Sequence, residues 1–314
     1  MKVKEMTAGD KIDQPLLIAA VHEGVTGNGA PYLTLNLQDA SGSLDAKLWD
    51  VKPAQKEICE AGKVIRIRGD IINYKGHAQM KILTVAPYEG EVKPEDFQAL
   101  TPIDTEAMKS DVEKAIESIR HPVLHDIVEH LLGKAGEEFY THPAASKNHH
   151  EFKGGLATHE TNMLKMAYVF LEQYPFLNHD LLIAGVLCHD IGKLRELSGG
   201  VVTEYTLPGK LLGHVSIGAE MVDEAARELG YEDEKEVVLL KHMVLSHHGK
   251  YEFGSPVLPM TPEAEALNFI DNIDARMEII RKAMEQTKPN DFSLRIYALD
   301  NRTFYRTEED NGSE

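Results

Sequence analysis

The fold of this chain is decided by the stretch Leu181-Leu182-Ile183-Ala184-Gly185-Val186-Leu187-Cys188-His189-Asp190-Ile191-Gly192-Lys193. Its run of Leu, Ile and Val predicts a buried helix, which ends in an imidazole, a carboxylate, a glycine expected to stop the helix, and an ammonium. Burying His189 and Asp190 uncompensated would cost a large part of a domain's stability. An isolated pair of this kind more often caps a core helix, but it can also bind a metal ion.

Two further histidines lie on predicted helices whose apolar faces indicate that they point inward. His159 follows Gly154-Gly155-Leu156-Ala157-Thr158 on a helix that runs to about Leu171, and it shares a face with Met163, Met166 and Phe170. His214 follows Leu211-Leu212-Gly213 and opens a helix whose buried side is Ile217, Met221 and Ala225. Apolar residues three and four apart are typical of a helix that buries one face.

The last two clusters come near the end of the helical part. His247 and His248 lie at the end of a helix that Gly249 terminates. Thr261 can cap the final helix, with Pro262 in its first turn. The apolar stripe of that helix is predicted to be Leu267, Ile270, Met277 and Ile280, and Asp271 and Asp274 lie on the same stripe. Carboxylates there require a cation, and the sequence leaves open which of the two would bind it.

Taken singly, each histidine is more often a hydrogen-bonded core or surface residue than a ligand, but five inward-facing clusters make that reading improbable. From about residue 144 to 282, the series resembles the HD superfamily of metal-dependent phosphohydrolases. The resemblance implies a core metal site and the extra ligands of members that hold two metals. The matching residues are His159, His189, Asp190 and Asp271 for the core site, and His214, His247 and His248 for the second.

Short strands with two-residue alternation precede the helices. They are predicted at 15–21, 32–39, 44–49, 64–69 and 78–85, with a helix at 53–61 after the third strand. This is the order of an OB-fold, a small barrel that commonly binds single-stranded nucleic acid or oligosaccharide, and residues 35–42 resemble the nucleic-acid-binding OB family. Each outward residue, taken alone, is more often an ordinary strand residue than a contact. The candidates for base stacking and phosphate contact are Tyr32, Lys47, Trp49, Arg66, Arg68, Tyr74 and Lys81.

The combination of an OB domain with an HD-type domain resembles the YhaM-type 3′-to-5′ exoribonucleases. The segments that carry this resemblance are 246–256, 271–276 and 300–305, so that it covers nearly the whole chain. It implies hydrolysis of single-stranded RNA, with single-stranded DNA as a second candidate, to nucleoside 5′-monophosphates. It also favours manganese as the metal.

The fold class predicted from these patterns is multi-domain α+β. A five-stranded OB-fold barrel is expected at 1–90 and a polar linker with Gly and Pro at 91–104. An all-α HD-type domain is expected at 105–288, followed by a strand-like extension at 289–306 and a disordered acidic tail at 307–314.

Charge and cysteine content narrow the class of protein. The chain has 51 acidic and 33 basic residues, and residues 1–93 carry 12 of each, so the whole net charge of −18 lies in the remainder. This argues against binding nucleic acid or anionic membrane through bulk charge, and it suits a dedicated, neutral binding module. Two cysteines and no long apolar run predict a cytoplasmic protein without disulfides or a membrane partner. The oligomeric state, including a homo-oligomer, is left open.

The expected chemistry is hydrolysis of a phosphodiester by two divalent ions about 3.5–4 Å apart. Asp190 would bridge the ions, and Lys193 would neutralise charge that develops on a non-bridging oxygen, unless it is only a surface lysine at a helix C-terminus. Imidazole with carboxylate suits Mn, Fe, Co, Ni or Zn better than Mg.

Two alternative functions are compatible with the sequence. One is an HD phosphohydrolase that acts on a free nucleotide or a cyclic dinucleotide, although residues 249–254 lack the Gly-Tyr-Pro motif of cyclic-di-GMP phosphodiesterases. The other is a non-catalytic nucleic-acid-binding protein with a structural metal, in which removal of the metal would unfold the helical domain.

Overall fold

The computed structural model describes residues 1–74, 77–97, 105–144, 153–199, 203–285 and 287–308. The predicted linker beyond residue 97, the tail beyond residue 308, and residues 75 and 76 between the fourth and fifth predicted strands lie outside these ranges. The chain divides into two compact units, of which the first spans residues 1–102 and the second comprises most of the remainder. Within the described ranges, no helix combines the length and apolar character that crossing a membrane requires.

The first unit is a closed five-stranded barrel in which each predicted strand is present. Its strands are β1 (Lys11–Val25), β2 (Pro31–Asp39), β3 (Gly42–Trp49), β4 (Val64–Tyr74) and β5 (His77–Pro87), in the order β1-β2-β3-β5-β4. The long strand β1 closes the barrel because its first half pairs with β4 and its second half with β2. Helix α1 (Pro53–Ile58) lies between β3 and β4 in sequence. These features confirm the OB-like barrel.

The barrel interior follows from strand alternation. In β2, for example, Leu33, Leu35 and Leu37 are buried while their neighbours are partly exposed. The same alternation in β3 and β4 fills the interior with aliphatic side chains and leaves the charged ones outside. Because side chains alternate along β2, β3 and β4, the outward residues of these strands were predictable once the strands were recognised.

The second unit is helical, which confirms the all-α class of this region. A short helix, α2 (Pro94–Phe97), precedes it within the predicted linker. Its helices are α3 (Thr105–Ser118), α4 (Pro122–Ala135), α5 (Glu137–Thr141), α6 (Gly155–Gln173), α7 (His179–Cys188), α8 (Lys193–Glu196), α9 (Leu207–Leu229), α10 (Lys235–Ser246) and α11 (Pro262–Glu285). A small two-stranded sheet follows, formed by β6 (Asp291–Phe292) and β7 (Tyr305–Arg306).

Helix α7 is the centre of the helical unit, as its sequence predicts. Every residue from Leu181 to Cys188 is buried, and α7 packs against α3, α4, α6, α10 and α11. The side chain of Asn178 accepts a hydrogen bond from the Leu181 amide and begins the helix. Because α7 is surrounded by other helices, side chains from several of them can meet at its C-terminal end.

Helix α11 differs from its predicted stripe at one position. Leu267 and Ile270 are fully buried, but Met277 is 57% exposed. The buried residues beyond Ile270 are instead Asp274 and Glu278. The inward assignment of Met277 was therefore wrong, because the buried face of the second half of α11 is polar.

Candidate metal centre

The centre is built on the turn between α7 and α8. His189 and Asp190 follow the last residue of α7 and are fully buried, and Lys193 begins α8. Gly192 was expected to stop the helix, but its φ of −61° is helical. A glycine is needed at position 192 because a Cβ there would lie 2.1 Å from the carbonyl oxygen of His214. The close approach of α9 therefore requires Gly192 and brings His214 beside Asp190.

Five histidines present the same nitrogen to the centre. Each uses Nδ1 in a hydrogen bond to an oxygen that can only accept, so Nδ1 carries the proton and Nε2 is left to bind a cation. The acceptors are Asp274 for His159 at 2.7 Å, the main-chain oxygen of Val186 for His189 at 2.8 Å, Glu196 for His214 at 3.1 Å, and the main-chain oxygens of Val244 and Phe253 for His247 at 2.7 Å and His248 at 2.8 Å.

Asp190 lies between two sets of these nitrogens. Its Oδ2 is 3.4 Å from Nε2 of His189 and 3.7 Å from Nε2 of His159. Its Oδ1 is 3.4 Å from Nε2 of His214 and 3.8 Å from Nε2 of His247. The two oxygens of this one carboxylate therefore face different groups of imidazole nitrogens.

The two aspartates of α11 take different positions around His159. Oδ1 of Asp271 is 3.3 Å from Nε2, the nitrogen directed into the centre. Oδ2 of Asp274 is 2.7 Å from Nδ1, on the other side of the ring. Asp271 could therefore be a metal ligand, whereas Asp274 orients the imidazole from behind.

Buried polar atoms without hydrogen-bond partners show directly that the residues of the centre fit a cation. Nε2 of His189, His214 and His247 and Oδ1 of Asp190 are buried and have no hydrogen-bond partner among the described residues. Each such atom costs about 1–3 kcal/mol if it stays unpaired. Potential ligand atoms lie within 4.8 Å of one another in three overlapping groups, namely His159–His189–Asp271, His189–Asp190–His247 and His214–His247–His248. These residues fit divalent ions.

The charges in the centre are strongly coupled. Burial opposes protonation of His159, but Asp271 and Asp274 outweigh it and raise its pKa to about 10. Burial likewise opposes protonation of His189, while Asp190 and Glu160 raise its pKa to about 9. A cation that takes these nitrogens must displace protons, so its affinity increases with pH in the neutral range.

Lys193 is buried and not the surface lysine that was the alternative. It is 8% exposed, and its ammonium donates a hydrogen bond to Oδ2 of Asp190. Burial opposes ionisation of Asp190, but Lys193 and the neighbouring imidazoles hold the pKa of that carboxyl well below its usual range. Lys193 therefore keeps Asp190 anionic.

Two acidic residues of the centre were missed in the sequence. Glu196 accepts hydrogen bonds from both the amide and Nδ1 of His214, at 2.9 and 3.1 Å. Glu160 is fully buried, with Oε1 3.6 Å from Nδ1 of His189, and burial raises its pKa to about 7. The signal for Glu160 was its place beside His159 on a buried helix; Glu196 follows the His-Asp pair on a short helix with no periodic pattern.

The predicted nucleic-acid contacts lie on the outside of the barrel. Tyr32 and Trp49 pair across β2 and β3 with ring centroids 5.0 Å apart, and the Lys47 ammonium lies 4.5 Å from the Tyr32 ring. We call these three residues the aromatic cluster. Arg66 is exposed but paired with Asp13 at 2.8 Å. The other predicted residues are exposed and are Arg68, Tyr74 and Lys81.

Fold and site together define a class, the HD-domain hydrolases with an OB-like barrel, and the HD domain family profile matches residues 156–276. The chain is 47% identical over 300 residues to the 3′–5′ exoribonuclease YhaM of Geobacillus sp. (strain WCH70), covering 95% of this chain and 92% of that protein. It is 44% identical to YhaM of Bacillus pumilus (strain SAFR-032), covering 95% of each. The chain belongs to the YhaM family of 3′–5′ exoribonucleases.

Among solved structures, the second OB-fold domain of replication protein A from Methanococcus maripaludis aligns with 30% of this chain and 98% of that domain. Identity is 15% and the TM-score is 0.24, a similarity too low to support any conclusion.

Proposed function

We propose that this enzyme removes nucleotides one at a time from the 3′ end of single-stranded RNA and releases nucleoside 5′-monophosphates. Family membership supports the reaction class and its direction. The observation that carries the two-ion form of the proposal is the position of Asp190, whose two oxygens face different sets of imidazole nitrogens. Single-stranded DNA is a second candidate substrate. The cytoplasmic location is still a prediction, and the oligomeric state, including a homo-oligomer, is still open.

The proposed ligands divide into two groups around Asp190. His159, His189 and Asp271 would hold one ion, and the other would be held by His214, His247 and His248. The mixed nitrogen and oxygen donors suit Mn, which the family resemblance favours, and also Fe, Co, Ni or Zn. Bound ions of this kind neutralise phosphate charge and make hydroxide available near neutral pH.

The protein's own groups have separate tasks. Asp190 must remain a carboxylate, and the Lys193 ammonium ensures this by its direct hydrogen bond. An ammonium has three donors, so Lys193 is also a candidate to contact a non-bridging phosphate oxygen. Asp274 and Glu196 fix the rings of His159 and His214 and thereby the direction of the Nε2 atoms.

The experiment uses single-stranded RNA labelled at either the 5′ or the 3′ end, incubated with each candidate metal. We expect nucleoside 5′-monophosphates released progressively from the 3′ end with Mn. His189→Ala and Asp190→Ala should abolish release while RNA binding persists. His179→Ala is the matched control, because His179 is partly exposed at the opposite end of α7. Intact RNA with every metal would contradict the proposal, and parallel incubations with free and cyclic nucleotides test the alternative substrates.

A further inference from the structure

A short turn after the two adjacent histidines has features that the metal centre does not use. It runs from Gly249 to Gly254, and we call it the 249–254 turn. Gly249 and Gly254 have φ of +71° and +95°, and residues Tyr251–Phe253 between them form a single 3₁₀ turn. Such φ values favour glycine at both ends, so the sequence encodes a defined turn.

The turn is hydrogen-bonded to a candidate ligand of the metal centre. The main-chain oxygen of Phe253 accepts a hydrogen bond of 2.8 Å from Nδ1 of His248. The Asn268 side chain of α11 donates to the main-chain oxygen of His247 at 2.7 Å and lies against Gly249, where a Cβ would be 2.4 Å from it. The turn therefore orients the imidazole of His248 directly, and Asn268 lies against its first residue, so that the turn adjoins the centre.

Two side chains of this turn are aromatic and exposed. Tyr251 is 68% exposed and Phe253 is 54% exposed, although burying such rings is favourable. The ammonium of Lys250 lies 5.1 Å from the Phe253 ring centroid and 3.6 Å from a carboxylate oxygen of the exposed Glu252, so a phosphate must compete with that carboxylate for the ammonium. Rings and a cation on one preorganised turn are the elements that bind bases and phosphates of single-stranded nucleic acid.

We propose that the 249–254 turn holds the 3′-terminal part of the RNA substrate. The rings of Phe253 and Tyr251 stack on the last bases, and Lys250 contacts the adjoining backbone phosphate. This inference rests on the proposed function, since it assigns part of the substrate to a place beside the same centre.

The test combines removal of a ring with removal of a base. Steady-state kinetics compare an oligoribonucleotide with matched ones that are abasic at the last or the penultimate position. In the wild type we expect an abasic position to raise KM. Phe253→Ala and Tyr251→Ala should raise KM for the intact strand about 5- to 150-fold, with little change in kcat, and the penalty for the missing base should largely disappear. Phe253→Trp keeps a ring and should retain the wild-type KM. Phe253→Leu has no ring and should raise KM as Phe253→Ala does.

Two controls separate stacking from structural damage. Phe176→Ala removes an exposed ring from the segment before α7, at the end opposite to His189, and should leave KM unchanged. Manganese titrations of the turn variants should give the wild-type number of bound ions. An altered ion number would overturn the inference, because it would mean that the rings support the centre.

The remaining outcomes also decide the matter. If the wild type degrades RNA but the turn variants keep its KM and its abasic penalty, the turn is not a substrate subsite and the proposed function stands. If the variants instead change the oligomeric state in sedimentation, the rings form a protein interface and the inference is wrong. A wild type that leaves RNA intact with all metals would overturn the proposed function and this subsite together.

Discussion

Asp271 and Asp274 are three residues apart on one helix, yet His159 gives them different tasks. Asp271 approaches Nε2, on the side of the ring that faces Asp190, and Asp274 approaches Nδ1. A carboxylate behind a ligand imidazole fixes the ring and increases its basicity, and losing such a partner typically costs about 10- to 100-fold in metal affinity. The two positions therefore predict different consequences of mutation.

Asp274→Ala is expected to weaken manganese binding about 10- to 100-fold while the number of ions bound is kept. Asp274→Asn keeps an acceptor for Nδ1 and should fall between the wild type and Asp274→Ala. Asp271→Ala removes a proposed ligand and should eliminate one ion. Isothermal titration with manganese measures both affinity and stoichiometry. Loss of an ion in Asp274→Ala, with mere weakening in Asp271→Ala, would reverse the two assignments.

The sequence predicted which residues converge, but not which of them are ligands and which orient a ligand. The five clusters were recognised because histidine and aspartate recur on apolar helix faces, and the seven proposed ligands were chosen from them by the resemblance to the HD superfamily. Helical spacing places Asp271 and Asp274 on the same face. The choice between them depends on the rotation of the His159 ring, which α6 and α11 set together. Glu196 was missed because its importance comes only from its contact with His214, 18 residues away.

At the scale of elements, α9 is interrupted where it reaches the centre. Gly213 has φ 74° and ψ 154°, a combination that is essentially restricted to glycine. The break allows the amide and Nδ1 of His214 to reach the same oxygen of Glu196. The sequence predicted that a helix begins at His214. The structure has a break at Gly213 and an additional helical turn before it. That turn begins at Thr206, whose side chain accepts a hydrogen bond from the amide of Gly209.

Gly213→Ala is expected to lower the free energy of unfolding by about 1–3 kcal/mol, because alanine resists this backbone conformation. It should also weaken the ion held by His214. Gly133→Ala is the matched control, since Gly133 lies in α4 with nothing within 4 Å of an added Cβ, and it should stabilise the protein by about 0.5–1 kcal/mol. Urea unfolding measures both. Equal effects of the two substitutions would contradict the proposed role of the break.

The helices and strands that were predicted correctly are those with a clear periodic pattern in the sequence. Strands of the barrel and helix α7 were found within a few residues because alternation and apolar runs are local signals. The inward assignment of Met277 was wrong because the same helical spacing fits two neighbouring faces of α11. Glu278, which pairs with Arg281 at 2.7 Å, is buried on the face that was missed. A buried carboxylate that pairs with a half-exposed arginine cannot be recognised from a hydrophobic pattern.

At the scale of the whole molecule, net charge is distributed unevenly along the chain. Residues 1–93 are neutral, and the remainder carries the full net charge of −18. An acidic body repels an RNA backbone beyond the immediate reach of bound cations. Affinity for a long strand is therefore expected to come from the barrel, where the aromatic cluster combines two rings with Lys47.

If RNA binds at the aromatic cluster, the contributions of its rings and of its charge to RNA affinity can be separated by measuring binding at different salt concentrations. RNA binding is measured in the Asp190→Ala background, in which no cleavage is expected. Trp49→Ala should weaken binding about 5- to 150-fold at every salt concentration, because stacking is not ionic. Lys47→Ala should reduce the slope of log K against log salt by about 0.7, the value for one phosphate contact on a single strand.

Lys63→Ala is the control for the loss of a barrel charge, since Lys63 is exposed and pairs with Glu60 at 2.7 Å. It should leave the slope unchanged. Arg66→Ala should change it less than Lys47→Ala, because Asp13 already neutralises Arg66. An equal slope in all these variants would mean that RNA binds elsewhere. A smaller slope in Trp49→Ala would mean that the ring acts by positioning Lys47, since only a lost phosphate contact changes the number of counterions released.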